Sequence, residues 1–151
     1  MLSSYLAPMK VPAFPLFLFL ATAILLPSYA DEPALSPLER REREEFAKTE
    51  GDDVKTRETL EWAEKYWDTE LNRIYRAITG RLNGNALDSM KTAQRKWIDF
   101  RDAEYQRLAA LQEGVRGTMW NNPFRYAKMR ITRERTLALE RTLGIMDDSG
   151  Y

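Results

Sequence analysis

The sequence predicts an all-α protein, and three observations lead to this prediction. Apolar residues after position 50 recur at spacings of three, four and seven, which is the pattern of one helix face. Helix start and stop signals divide this region into three long segments. No stretch after the leader alternates apolar and polar residues as a strand does. We therefore expect an antiparallel hairpin of two long helices, a third helix packed on it, and an optional short N-terminal fourth helix.

Residues 1–30 have the features of an export signal. The run from Ala13 to Leu26 is apolar but too short for a membrane span. Ser28 and Ala30 place small residues at the −3 and −1 positions of a cut before Asp31. We predict a cleaved signal peptide, a periplasmic or secreted protein, and no membrane attachment after cleavage. An uncleaved anchor is the alternative.

The segment 31–52 is dominated by charge. From Pro37 to Thr49 most residues are charged, and only Leu38 and Phe46 could anchor a helix to the rest of the chain. One interpretation is a solvated single-face helix or a frayed segment, and the other is a docking arm.

The first long helix is predicted from about Val54 to Thr79. Gly51-Asp52-Asp53 supplies a stop followed by an N-cap, and Gly80 is suited to ending the helix. An Asn-Gly turn at 83–84 predicts that the next helix returns antiparallel. The apolar stripe of the helix is Leu60, Trp67, Leu71, Ile74 and Ile78.

The second long helix is predicted from about Ala86 to Gln112, with Asn85 as its N-cap. The polar residues Gln94 and Arg101 interrupt its apolar edge. Because an unpaired buried polar group costs about 1–3 kcal/mol, these side chains need partners on other helices. The other residues of this edge are Leu87, Met90, Trp97, Tyr105 and Leu108.

The third long helix is predicted to begin with Asn122 as its N-cap and Pro123 in its first position, and to end at Gly144. Arg135 lies on its apolar side. We accordingly place the helical domain at 53–146 and a C-terminal tail at 147–151. The apolar side of this helix is Phe124, Ile131, Ala138, Leu139 and Leu143.

Polar residues on the three helices predict an interhelical network. Its donors would be Arg101 and Arg135, and its acceptors Asp68 and Asp102. Such a network specifies one packing over its alternatives; a second interpretation is that it borders a binding groove. Its other members are the amides Asn72 and Gln94, which would fix the register, and Leu71, Tyr75 and Trp97.

The composition excludes several classes of function. With 23 basic and 23 acidic side chains the net charge is zero, which argues against nucleic acid as a partner. The chain has no histidine and no cysteine, so catalysis by either is impossible and zinc and copper sites lack their usual ligands. Pairs such as Asp99 with Asp102 arise by chance in a helix of this composition. We predict no enzyme activity, no catalytic residue, no metal and no cofactor.

The irregular loop at 113–121 is the candidate partner-binding surface, because recognition residues concentrate on loops held by rigid elements. Two glycines bracket Arg116, and Met119 and Trp120 follow it. An arginine beside a tryptophan is a common composition of interface hot spots. In the alternative interpretation Met119 and Trp120 fold back and cover the end of the hairpin.

Two short motifs follow each other along the hairpin. The first is Asp68, Glu70-Leu71-Asn72 and Tyr75, and the second is Ala93-Gln94, Trp97 and Phe100-Arg101-Asp102-Ala103-Glu104. Over about Leu60 to Leu143 the chain resembles the lysozyme inhibitor LprI-like N-terminal domain family. A third, weaker block is Ile131-Thr132, Arg135 and Leu139. The resemblance implies a small exported bacterial helical domain, and some members of the family bind and inhibit lysozyme.

The resemblance also implies two cysteines that are absent here. The family pattern has one directly after the Arg-Asp-Ala-Glu run, where this chain has Tyr105, and one early in the third helix, near Tyr126-Ala127. We expect aromatic packing by Tyr105 and Tyr126 to substitute for the lost bridge. Loss of such a bridge typically costs about 2–5 kcal/mol.

Two functional hypotheses follow. In the first, the chain is an exported helical inhibitor of lysozyme-like glycosidases, in which Arg116 pairs with an active-site carboxylate and Trp120 is its apolar neighbour. In the second, it is a non-inhibitory envelope interaction or assembly module that uses the charged helix at 37–49 or the hairpin seam. Both require a protein partner, and a homodimer through the stripe from Leu60 to Ile78 is a third arrangement.

Overall fold

The computed structural model describes residues 34–151, and within that range it contains four α-helices and no strand. The all-α prediction is confirmed for this part of the chain, and the optional fourth helix is present. The predicted signal peptide at 1–30 lies outside the described residues. No helix within 34–151 is long and apolar enough to cross a membrane. The helices are α1 (Pro37–Ala47), α2 (Asp53–Thr79), α3 (Gly84–Glu113) and α4 (Asn121–Ser149).

Helices α2 and α4 run parallel and form the main seam of the bundle. At one end the Asn122 side-chain amide donates to the Asp53 carbonyl at 3.2 Å, and at the other Arg81 pairs with Asp147. Full burial of a large apolar side chain contributes about 1.5–3 kcal/mol, so this seam supplies most of the packing energy. Its buried apolar residues are Leu60, Ala63, Trp67, Leu71, Ile74 and Ile78 of α2 with Met129, Leu137, Leu139 and Met146 of α4.

The predicted stripe on the first long helix is confirmed, since all five of its residues are at most 3% exposed. Helix α4, rather than α3, covers most of this stripe. A homodimer through the stripe from Leu60 to Ile78 would therefore require α4 to leave its place. The described fold does not offer that surface to a second copy.

Helix α3 runs antiparallel to α4 and lies less deeply in the bundle than predicted. Its polar residue Gln94 is buried, whereas the five apolar residues predicted for its inner edge are only half-buried. Met90 and Trp97 pack on the margin of the lower apolar cluster of the α2–α4 seam. That cluster consists of Leu71, Ile74, Ile78, Leu139 and Met146. Helices α2 and α3 therefore both pack on α4 and make few contacts with each other.

Three predicted helix ends are wrong. Helix α4 begins at Asn121 after Trp120, so Asn122 is not its cap and Pro123 is its third residue. Helix α3 begins at Gly84 with Asn83 as its cap residue, not at Ala86 with Asn85, because Gly84 adopts a φ of 48° that completes the turn early. Helix α4 continues through Gly144 to Ser149 and ends at a left-handed Gly150. Continuing the helix buries Met146 in the core, which outweighs the cost of about 1 kcal/mol for an internal glycine.

The charged segment forms a single-face helix that packs on the bundle, so it is not a frayed segment. The Ser36 hydroxyl accepts from the Glu39 backbone N–H at 3.3 Å, and the Glu39 carboxylate accepts from the Ser36 N–H at 3.0 Å. Leu38 and Phe46, the two residues predicted to anchor this helix, pack against the upper cluster of the α2–α4 seam. That cluster consists of Leu60, Ala63, Trp67, Met129 and Leu137. Between them Glu42, on the same face, is also buried.

Candidate functional site

The connection from α3 to α4 is a short loop followed by a single turn of 3₁₀ helix at Thr118–Trp120. Gly117 begins this turn with a φ of 97°, a left-handed conformation that disfavours any residue with a Cβ. The Gln112 side-chain amide donates to the Asn121 side-chain oxygen at 3.0 Å and joins the two helix ends beneath the loop. The loop is therefore short and fixed at its base.

The loop presents its large side chains to solvent. Met119 is 75% exposed and Trp120 is 43% exposed, so they do not fold back over the end of the hairpin. Arg116 is also exposed and has no ion-pair partner among residues 34–151. Val115 adds a further exposed apolar side chain. This end of the molecule combines one unpaired guanidinium with an apolar surface.

A groove of about 560 Å³ lies beside the loop, between α2 and the C-terminal half of α3, with α4 as its floor. It exists because α3 packs on α4 and makes few contacts with α2. Its wall carries three cations and one carboxylate. The lining residues are Arg57 and Glu64 of α2, Tyr105, Leu108, Ala109 and Gln112 of α3, and Asn121, Phe124, Arg125 and Lys128 of α4.

The cations of the groove differ in how they are compensated. Arg125 pairs with Glu61 at 2.9 Å. The ammonium of Lys128 lies 4.6 Å from the centre of the Tyr105 ring, and Arg57 makes no ion pair within the described chain. Lys128 and Arg57 thus remain available to an anion.

The second family-like motif forms part of the α3–α4 contact. Arg135 donates through Nε and Nη2 to the Gln94 side-chain oxygen at 3.2 and 3.1 Å, and its guanidinium lies 5.9 Å from the centre of the Trp97 ring. Burial without a carboxylate partner holds the pKa of Arg135 below its ordinary value. Arg135 therefore joins two helices as predicted, but its acceptor is the amide of Gln94 rather than a carboxylate.

Arg101 has a different environment from the one predicted. It pairs with Asp102, its neighbour on the same helix, at 2.7 Å and lies over the rings of Trp97 and Tyr105. No hydrogen bond or ion pair joins it to another helix within residues 34–151. Arg101 therefore covers the aromatic side of α3 and does not link two helices.

The first motif does not take part in this contact. The Asn72 side-chain amide donates to the Asp68 carboxylate at 3.2 Å and carbonyl at 2.8 Å, and both residues are exposed on α2. Leu71 lies in the core, and Tyr75 packs at its margin. The predicted role of Asp68 as an acceptor for an arginine of another helix is wrong, because α2 turns its apolar stripe toward α4 and leaves Asp68 and Asn72 on the outer side.

Tyr105 and Tyr126, which stand where or near where the resemblance implies cysteines, act separately. The Tyr105 hydroxyl hydrogen-bonds the Thr132 hydroxyl at 3.1 Å and so ties α3 to α4. Tyr126 instead meets Phe46 edge to face, with ring centres 6.4 Å apart. The expected substitution for a bridge is therefore made by Tyr105 alone.

Sequence reasoning missed a buried charge cluster that attaches α1 to the bundle. Arg133 donates to Glu42 and Glu39 at 2.8 Å each, and the Trp67 indole N–H donates to Glu42 at 2.9 Å. Burial alone lowers the pKa of Arg133, but its bonds and attraction to the two carboxylates outweigh burial and hold that pKa above its ordinary value. The signal was present: Glu42 lies four residues from both Leu38 and Phe46, on the same helix face.

Comparison with known proteins gives one family. The family model described as Lysozyme inhibitor LprI matches residues 46–139, which include α2, α3 and most of α4 but only the end of α1. No curated protein matches the chain, and no solved structure matches it.

Proposed function

This chain belongs to the lysozyme inhibitor LprI family, and on that basis we propose that it binds and inhibits lysozyme-type glycosidases. The family is one of protein inhibitors, which agrees with a chain that acts by binding rather than by catalysis. The observation that supports this function best is the exposed loop at 114–120. It offers a cation and an apolar surface on a base fixed by two helices.

The chemistry of the target explains why this combination suits inhibition. Glycosidases of this type place two carboxyl groups across a cleft, and at least one of them is ionised. A guanidinium forms strong, charge-assisted and bidentate bonds with a carboxylate. In this proposal Arg116 enters the cleft and pairs with that carboxylate, while Met119 and Trp120 cover the adjacent surface. Substrate is then excluded from the cleft.

The fixed base of the loop favours tight binding. Ordering a side chain or loop on association costs about 0.5–1.5 kcal/mol per flexible side chain. The bond between Gln112 and Asn121 and the turn at Gly117 already restrict the backbone. Little of the contact energy is therefore spent on arranging the loop.

We propose that the protein works outside the cytoplasm, in the periplasm or as a secreted protein, where lysozymes meet the cell wall. The apolar run and the small residues before Asp31 support this location. The expected result is a processed chain in the periplasmic or culture fraction whose first residue is Asp31. N-terminal sequencing checks it, and an intact Met1 in that fraction would contradict it.

The test of inhibition is a cell-wall lysis assay with a panel of purified lysozymes and increasing amounts of the processed protein. We expect inhibition by the wild type, and at least tenfold weaker inhibition by Arg116→Ala. The matched control is Arg141→Ala, which removes an exposed arginine from the far half of α4 and should inhibit fully. No inhibition by the wild type at a large molar excess removes the function. Full potency of Arg116→Ala removes only the role of the loop.

The alternative of a non-inhibitory envelope module has less support. Its two predicted surfaces were the charged helix and the hairpin seam. The apolar side of α1 and its Glu42 are engaged by the bundle, and the seam residues of α2 are covered by α4. The apolar faces of both are thus covered, and what α1 presents to a partner is its charged outer side.

A further inference from the structure

The groove beside the loop takes no part in the proposed contact of Arg116, but its volume and its positive charge suit a ligand. Its volume of about 560 Å³ falls within the range of sites that bind small molecules or short chain segments. Of its three cations, Arg57 and Lys128 make no ion pair within residues 34–151. The whole chain has no net charge, so this local excess of positive charge comes from arrangement rather than composition.

The groove is continuous with the loop. Gln112 and Asn121 line the groove, and both also line the smaller hollow that contains Val115 and Gly117. A partner seated on Met119 and Trp120 therefore lies next to the mouth of the groove. The two features form one surface, apolar on the loop and cationic in the groove.

The free groups in the groove suit an extended acidic peptide. The bond between Gln112 and Asn121 uses one donor of Gln112 and the acceptor of Asn121, which leaves the Gln112 side-chain oxygen and both amide hydrogens of Asn121 for a peptide backbone. Arg57 and Lys128 lie in the same groove for acidic side chains. An acidic sugar would prefer an open aromatic face, but Lys128 and Arg101 already cover the ring of Tyr105.

We propose that this groove takes an acidic peptide segment of the protein partner, with carboxylates pairing with Arg57 and Lys128. This inference rests on the proposed function, because the partner is the one held by the loop. It assigns a second contact, which adds affinity and selects partners that carry acidic residues beside the surface that the loop covers.

The direct test uses nuclear magnetic resonance of the processed protein with N-acetyl-tetraglutamate as the probe. We expect chemical-shift changes concentrated at residues 57, 105, 112, 121, 124 and 128, and their loss in high salt because the contact is ionic. Tetralysine at the same concentration should leave these residues unchanged. Absent changes, or changes spread evenly over the surface, would overturn the proposal. Stronger changes with trigalacturonate than with the peptide would overturn the assignment to a peptide.

Charge reversal provides the second test. The double variant Arg57→Glu/Lys128→Glu should lose the shifts caused by tetraglutamate and inhibit lysozyme at least tenfold more weakly than the wild type. The control Lys91→Glu/Arg141→Glu makes the same change in net charge about 20 Å away along α3 and α4 and should behave as the wild type. Circular dichroism checks that both variants are folded, and Arg57→Gln/Lys128→Gln serves if reversal disturbs the fold.

The two proposals fail in distinguishable ways. If the wild type inhibits a lysozyme and the double variant inhibits equally well, the groove has no part in binding and this inference is overturned. If the wild type inhibits no lysozyme but tetraglutamate still maps to the groove, inhibition is wrong and the acidic ligand of the groove stands.

Discussion

Helix α4 forms two seams, and they differ in how they hold the molecule together. Toward α2 it contributes fully buried apolar residues, such as Met129 and Leu139. Toward α3 it contributes polar links, namely Arg135 to Gln94 and Thr132 to Tyr105. The α2–α4 seam is therefore the apolar core. The α3–α4 seam is a polar contact with a helix whose side chains are mostly half-buried or exposed.

Two arginines of α4, two residues apart, show the difference most clearly. Arg133, beside the α2–α4 seam, has two carboxylates from α1 and the face of Trp67, 5.5 Å away. Arg135, in the α3–α4 seam, has one amide and the face of Trp97. The pKa of Arg133 is raised and that of Arg135 is lowered, because only the first has countercharge to offset burial.

This contrast indicates a division of roles. The α1–α2–α4 part supplies stability, and α3 with its loop supplies surface. The proposed contacts, Arg116 and the groove, both lie at the end where α3 is held by few buried groups. Recognition is thus placed where packing constrains the sequence least.

The largest expected difference is between the two tryptophans. Trp67→Ala removes a side chain with no exposed surface and should cost about 3–5 kcal/mol of unfolding free energy. Trp97→Ala removes a half-buried ring and should cost about 1–2 kcal/mol. Urea unfolding at pH 7 measures both. Equal losses would show that the two seams contribute alike.

The next comparison replaces each arginine by methionine. Arg133→Met leaves the buried Glu42 and its neighbour Glu39 without a cation and should cost about 3 kcal/mol, the lower end for breaking a buried pair. Arg135→Met relieves the burial of a charge that has no countercharge but leaves the Gln94 oxygen without a donor, so the loss should be about 1 kcal/mol and smaller than for Arg133→Met. A larger loss for Arg135→Met than for Arg133→Met in the same unfolding assay contradicts this comparison.

The smallest effect concerns the helix starts. Asp52 caps α2 by accepting from the backbone N–H groups of Lys55 and Val54, which hold the pKa of Asp52 below its ordinary 3.8, whereas Asn83 makes no side-chain cap bond at α3. A lowered pKa gives stability that is present above pH 3.8 and is lost as pH falls through the folded-state value. Asp52→Ala should therefore destabilise the protein at pH 7 and by a smaller amount at low pH, where a protonated Asp52 remains only a neutral cap, and Asn83→Ala should do neither.

Thermal unfolding between pH 2.5 and 7 checks this difference. The control is Asp52→Asn, which retains a neutral cap acceptor and should lose only the part that depends on pH. A gap between wild type and Asp52→Ala that stays constant over this range would show that the carboxylate charge has no role in the cap.

The local features of the fold could be predicted from the sequence. The stripe on α2 follows from spacing alone, because residues three and four apart share a helix face whatever lies opposite. The identity of the opposing helix did not follow, since the stripe fits α3 and α4 equally well by pattern. Gly144 predicts a helix end from its residue type alone. The helix continues because Met146 is buried against α2, and that contact cannot be predicted from the sequence of α4.

The candidate site likewise has one part that could be predicted from the sequence and one part that could not. The loop with Arg116 could be predicted, because its glycines mark a break between helices. The groove could not, since Arg57 and Lys128 are 71 positions apart in the printed sequence and meet only through packing. Glu42 stands among similar charges, and in the sequence its place on the face of Leu38 and Phe46 is what distinguishes it. Its half-buried partner Arg133 lies 91 positions away.

Hydrogen exchange of the free protein, resolved by residue, tests the division between the two seams most directly. We predict that amides in 60–78 and 129–146 exchange slowest and that those in 98–113 exchange at least tenfold faster, because α3 has few buried contacts to resist local opening. Equal protection of α3 and α2 would contradict the account.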